Sequence, residues 1–463
     1  MDAPTPDEHP PLESISAEPL LTADYQTRPA VFYESLRARY GPVVPVDVLG
    51  VPIWLVLGYA QVLDVMRDPR GVWSKRVESW RAHAEGRVPA DWPMLPIYTA
   101  DSSAQRDGAE LTRLRNAWSV GLRPFQDRTR PQAKELERAV SRYADDLITL
   151  IGEGGLTGQA DLATQYARPL PLLIINRLLG FEGRQGDELV QDLWRALDAG
   201  PEAGAATARI AAAAAEICAA RALQPTDDLA SHMLAAAPDL TPEEIAHELP
   251  LVLGLLGDHT GTLICTTAVK VIGGDVRMRE SLSAGMLPEV VNRAVIADPP
   301  LANTTLRWPK TEVRMGRYRI AAGDPVMLSL AGAHTDPAFA DGIDPDAIYS
   351  SRAHLAWGSG AHACLGRELA TTVTTLAVGK LFERFSALRL AVPEEQLGWH
   401  ASPLSRSLRS LPVLYELPPD AAGRRPVGPP PEQIEAEPEA GRQGPTASEP
   451  SLARRVLRAF RRS

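Results

Sequence analysis

The stretch His354–Ala370, HLAWGSGAHACLGRELA, constrains this chain more than any other. It sets Cys364 in a loop with Gly358, Gly360 and Gly366 around it and His362 just before it, and a helical run follows from Arg367 through Thr371 to Phe382. Glycines this dense let a backbone approach a flat object closely. A cysteine held among them can offer its thiolate to a metal as a soft ligand. A lone cysteine is more often a small buried hydrophobe, so the spacing around Cys364 has to carry the argument.

That spacing, W-G-S-G-A-H-A-C-L-G-R-E-L-A, resembles the haem-binding signature of the cytochrome P-450 family. The signature has an aromatic residue, a glycine and a His or Arg at fixed distances before the cysteine, then a glycine and an alanine after it. Trp357, Gly360, His362, Cys364, Gly366 and Ala370 stand at those positions, with Trp where Phe is usual. The resemblance implies a mainly α cytochrome P-450 fold with small β-sheets, and haem b as cofactor with its iron on Cys364. A thiolate ligand pushes electron density onto haem iron and favours O–O cleavage. Backbone N–H groups of the Gly358–Gly366 loop would tune the sulfur, and Trp357 would pack near it.

Other segments extend the resemblance. DGAELTRLR places Arg115 where the family has a propionate-binding arginine, with Leu111 where it has a histidine. NTTLRWP, after the Pro299-Pro300 turn, places Arg307 as the second such arginine, and His362 completes the set. The family's distal helix bears [AG]-G-x-[DE]-T, matched here by Leu256-Gly257-Asp258-His259-Thr260. Gly257 would open the helix for dioxygen and Thr260 would hold a proton-donating hydroxyl, with Thr262 as the alternative register. His259 replaces the acid and, with an ordinary pKa near neutrality, is a candidate proton carrier; a core histidine with a satisfied ring is the other reading. The family's E-x-x-R helix falls at LPEVVNR, where Arg293 is preceded three positions earlier by Val290. Glu289 can still pair with Arg293 at i,i+4; the other alignment keeps Glu289 and reads Asn292 for the arginine. An actinobacterial subgroup of the family also lacks a normal E-x-x-R, and ADPPLAN is similar to it.

Elsewhere the chain reads as helices joined by short strands. AVFYESLRARY predicts a helix ending at Gly41, Ile53–Leu57 a strand, and 205–222 an Ala-rich helix. Thr241-Pro242-Glu243-Glu244 is a capping box opening a long apolar helix that Pro250 bends. IAAGDPVMLSL reads as a hairpin turning at Gly323. Domain boundaries follow composition: 1–28 disordered, 29–417 a haem-thiolate monooxygenase domain, 418–450 a disordered Pro/Glu-rich linker, and 451–463 a basic amphipathic segment, SLARRVLRAFRRS. That segment is read either as a frayed end or as a helix that docks weakly on an anionic membrane or an acidic partner.

Composition narrows the classes further. A net charge of −10 argues against a nucleic-acid binder. Cys218, Cys265 and Cys364 are too few and too scattered for a disulfide framework and suit a reducing compartment. The acidic, Pro-rich start lacks a signal-peptide pattern, and no stretch is read as long enough to span a bilayer; the expected location is cytoplasmic. The resemblance implies insertion of one oxygen atom from O₂ into a small organic or peptide substrate, or oxidative coupling, with electrons from a ferredoxin and its reductase. Two alternatives remain at this point: a peroxide-using haem enzyme with His259 as acid–base, and a non-catalytic haem- or ligand-binding member of an assembly.

Overall fold

The computed structural model describes residues 11–419 apart from 182, 199 and 341–350. The segments 418–450 and 451–463, including the basic amphipathic stretch, lie almost wholly outside the described residues.

Folding begins earlier than composition suggests. Leu12 is buried, Glu18–Pro19 pairs in parallel with Val43–Val48, and Thr22 caps the Ala23–Thr27 helix. The expected disorder of residues 1–28 therefore does not extend past the first few positions described; the apolar residues Leu12, Leu20 and Tyr25 supply enough buried surface to order a Pro-rich segment.

The Pro29–Tyr40 helix ends at Gly41 with φ +85°, as the sequence implies. Val43–Val48 and Val51–Val56 then pair antiparallel, and Val326–Leu328 joins the second of them in parallel. That last strand does not turn back on its predecessor. The hairpin instead lies between Val313–Met315 and Tyr318–Ile320, around Gly316. Val44, Ile53 and Leu55 are buried on one face and Val43, Trp54 and Val56 on the other, which seals this four-stranded sheet between two apolar layers.

Helices form the larger body. Residues of Gly108–Gln126, Pro131–Gly152, Pro169–Leu179, His259–Gly273 and Arg367–Arg384 share one continuous apolar core. The Ala203–Leu223 helix is long and apolar enough, by length and composition, to cross a membrane, contrary to the sequence reading. It packs Ile210, Ala214, Ile217 and Cys218 into the common core.

Two short pairings position the site. Trp73–Ser74 lies antiparallel to Trp308–Pro309. Beside them Trp80, Trp92, Tyr98 and Trp308 stack with centroids 5.5–6.2 Å apart. Aromatic pairs at these separations are favourable beyond their buried area, and they hold the strand that carries Arg307.

Candidate active site

The cysteine loop is fixed by backbone geometry. Gly358 and Gly360 have φ of +70° and +69°. A Cβ at Gly360 would come within 2.2 Å of the Met66 carbonyl oxygen, so only glycine lets the loop press against the end of the Tyr59–Arg67 helix. The Cys364 N–H donates to the Trp357 carbonyl at 2.8 Å, and the Gly358 N–H to that of Leu355 at 2.8 Å. The Cys364 side chain is solvent-accessible yet set deep among protein groups. That surrounding protein pushes the thiol up, while the Gly366 backbone N–H and the charges of Arg115 and Arg367 pull it down. These opposing groups are those that would stabilise a thiolate.

Positive charge converges beside the sulfur. Arg115 is half-buried on the Gly108–Gln126 helix and donates to the Ala363 carbonyl, one residue before the cysteine. Arg307 is buried; its N–H and carbonyl bond Val326, but its Nε has no acceptor. Burial lowers its pKa to about 10. His362 ends the short turn Gly360–His362, and burial together with Lys75, Arg307 and Arg115 drives its pKa to about 2. Lys75 was not singled out by the sequence. It is buried, and its Nζ donates to the Thr305 carbonyl and hydroxyl and to the Leu306 carbonyl.

The facing helix is interrupted. The capping box at Thr241 forms with both reciprocal bonds, but the Pro242–Glu248 helix stops short of Pro250. A π-helical turn, Leu253–Asp258, then leads into His259–Gly273. Wide turns of this kind concentrate at functional sites. Gly257 and Thr260 are buried, and the Thr260 hydroxyl has no hydrogen-bond partner. Thr262, the alternative register, is also buried. His259 follows Asp258, and burial holds its pKa below the ordinary value although the Asp258 carboxylate pulls the other way. Leu263 of this helix and Trp357 of the cysteine loop pack on one apolar cluster with Val290 and Val291, so both halves of the site share a support.

Val290 is fully buried in that cluster, so the E-x-x-R position three before Arg293 is an apolar core residue. Glu289 instead lies 3.4 Å from Arg293 and 3.3 Å from Arg352, bridging its own helix to the segment leading into the cysteine loop. Asn292 donates to the Ser351 carbonyl at 3.4 Å. His334 adds a second tie: its Nδ1 meets the Ile296 carbonyl at 3.0 Å and its Nε2 accepts from the Leu355 N–H at 2.9 Å. Arg352 and His334 were not legible as site residues, because their partners lie far along the chain.

No family model matches the chain. It is similar to nocardicin C N-oxygenase of Nocardia uniformis subsp. tsuyamanensis, 30% identical over 410 residues that cover 83% of this chain and 94% of that protein. It is also similar to 6-deoxyerythronolide B hydroxylase of Saccharopolyspora erythraea, 29% identical over 404 residues, 82% and 94% of the two chains. Among solved structures it is similar to CYP154A1 from Streptomyces coelicolor A3(2), with a TM-score of 0.71 and 27% identity over 84% of this chain and 97% of that one. It shares its fold with CYP154C4 from Streptomyces sp. W2061, with a TM-score of 0.74 and 23% identity over 86% and 98%. Sequence relatedness of this extent, over a fold that sets a cysteine loop against an interrupted helix, means that the chain belongs to the cytochrome P-450 family of haem-binding monooxygenases.

Proposed function

We propose that Cys364 is the iron ligand of haem b, with Arg115, Arg307 and His362 on the side of its carboxylates and Gly257, His259 and Thr260 on the face opposite the sulfur. Two features of the structure suit that group. The corner formed by Lys75, Arg307, Arg115 and His362 gathers cations, and the buried Arg307 Nε lacks an acceptor there. A buried guanidinium without a partner is unfavourable until an anion meets it. Across the site, the Thr260 hydroxyl is likewise buried without a partner.

When bound, a thiolate-ligated haem supplies the activation of dioxygen. The protein's own residues hold and prepare. Gly366 keeps the backbone close to the sulfur, Gly358 lets the loop fold back against His362 and Ala363, and Trp357 packs on the apolar cluster shared with Leu263. Thr260 offers a hydroxyl on the opposite face, and His259 precedes it in the chain as a candidate proton carrier, its imidazole held below the ordinary pKa by burial.

The reaction we assign is oxygen insertion into, or oxidative coupling of, a small organic or peptide substrate in the cytoplasm, with electrons from a ferredoxin and its reductase. Relatives named as hydroxylases and an N-oxygenase support the reaction class. Of the two arginines near the sulfur, Arg115 turns inward to Ala363, which leaves the exposed Arg367 to meet an acidic ferredoxin. The convergence of cations beside Cys364 carries this reading. Its test is the absorption spectrum of the reduced protein with carbon monoxide. A red-shifted thiolate-type band that disappears in Cys364→Ser is expected; a histidine-type band or no haem uptake refutes the reading.

One observation favours a second reading. A histidine, His259, stands where the family has an acid, its pKa lowered; that suits peroxide-dependent chemistry, and turnover with peroxide but not with reduced ferredoxin would select it. The segment 451–463 is proposed as a weak dock for anionic membranes or acidic partners; association with anionic liposomes that survives its deletion discards that role.

A further inference from the structure

Lys75 and Arg307 form an unusual pair. The register between Trp73–Ser74 and Trp308–Pro309 sets Trp73 opposite Pro309 and Ser74 opposite Trp308. Lys75 and Arg307 are the next residues on the two strands, just past the end of that pairing, and close enough for the Arg307 charge to act on the Lys75 amine. Like charges brought close together repel, more strongly away from water, and here both residues are buried. Neither side chain forms an ion pair with a carboxylate among the described residues. Asp107 accepts from the Lys75 backbone N–H at 3.0 Å and from the Ser74 hydroxyl, and Asp68 and Asp107 act on Arg307 only through their charge. Three neutral oxygens hold the Lys75 amine in place. They fix its position without neutralising a charge.

Asp107 is also the residue that precedes the Gly108–Gln126 helix, and the Leu111 N–H donates to its carbonyl. Lys75 is therefore anchored one helical turn from Leu111, the position that is a histidine in the family pattern and is buried and apolar here. Resting on the haem reading above, we propose that Lys75 is a binding residue for the carboxylate side of the prosthetic group, supplying from a strand the positive group that Leu111 cannot supply from the helix. Burial and the Arg307 charge push the Lys75 amine well below its ordinary range in the protein alone. A dianionic edge at this corner reverses both effects, and the Lys75–Arg307 opposition becomes a clamp.

The test compares haem with haem dimethyl ester, which lacks the two negative charges, in wild type and in Lys75→Met. Loss of the group is followed by transfer to excess apomyoglobin. We expect Lys75→Met to lose haem about tenfold faster than wild type, and esterification to accelerate loss at least about threefold less in the variant than in wild type. Lys75→Arg should restore most of the wild-type rate. Lys75→Gln, which keeps a donor for the Leu306 carbonyl, is read in the same way if the Met variant does not fold. An esterification effect equal in both proteins overturns the assignment, because Lys75 would then act on the fold alone. Wild type that takes up no haem overturns the haem reading with it.

Discussion

The two halves of the site are built on opposite plans. On the cysteine side the chain is held tightly, by close backbone contacts and by side-chain ties to a neighbouring helix. Gly360 is pressed onto the Met66 carbonyl, Cys364 bonds to Trp357, and His334 and Glu289 tie the preceding segment to the Leu287–Ala297 helix. On the opposite side the backbone is loosened. Pro250 interrupts the helix, a π-helical turn follows, and the Thr260 hydroxyl is buried without a partner. A ligand atom must stay within tenths of an ångström of its metal, so rigid geometry suits it. Proton handling needs polar groups whose bonds are not already taken, and these reduce stability. The contrast separates positioning from chemistry, and perturbations of each half bear on it.

The largest effect is expected from Gly360→Ala. The added methyl group meets a backbone oxygen and the residue is held at positive φ. A loss of about 3 kcal/mol is expected, with a lower thermal midpoint and a smaller thiolate-type band. An unchanged midpoint would mean that the cysteine side is softer than its geometry implies.

Acid should come next. Burial lowers the pKa of His334 to about 3 and that of His354 to about 4. Unfolded histidines take up protons near pH 6.5, whereas the folded ones resist until much lower pH. The unfolded state therefore binds more protons through this window. The stability these residues contribute is complete above about pH 6.5 and drains away as pH falls towards 4. His334 alone should account for about 2–3 kcal/mol by pH 4.5. His334→Gln, which can still donate to Ile296 and accept from Leu355, should flatten the dependence of the thermal midpoint on pH. A slope unchanged by that substitution would place the acid lability elsewhere.

The smallest change in stability should come from the opposite side, and with the other sign. Thr260→Val removes a buried hydroxyl that has no partner. It should leave the protein equally stable or firmer by about 0.5–1 kcal/mol, while substrate turnover falls about tenfold. His259→Ala should lower turnover without moving the iron-ligand spectrum. If either variant destabilised the fold as much as Gly360→Ala, the division between the two halves would collapse.

Local patterns made much of this readable in the sequence. Gly358 and Gly360, two of the glycines around Cys364, have positive φ where the loop bends, the capping box at Thr241 forms as its four residues imply, and Gly41 ends its helix. Each depends on neighbours a few positions apart. The residues that escaped notice depend on distant ones. Lys75 reads as an ordinary solvated lysine until Trp308 is seen beside Ser74. His334 lies in the A-H-T-D-P stretch that resembles the family's A-N-R-D-P, but its tie to the cysteine loop shows only when Leu355 and Ile296 close on either side of its ring. The register of E-x-x-R was ambiguous because Val290 is filled by core packing, while the charge pairing passes through Arg352, which no local spacing announces. The start of the fold was placed too late because proline and acid residues outweighed three buried apolar side chains in the composition.

The contact between Gly360 and Met66 also dictates an order of events during synthesis. Nearby, the Tyr59 hydroxyl donates to the Ala353 carbonyl at 2.7 Å across 294 positions of chain. A polypeptide made from its N-terminus exposes the Tyr59–Arg67 helix long before the ribosome reaches the residues that seat on it. Contacts this distant in sequence close late and slowly. The loop that carries Cys364 is thus among the last parts of the molecule to find its place, and a prosthetic group that needs the loop is captured only by a nearly completed chain.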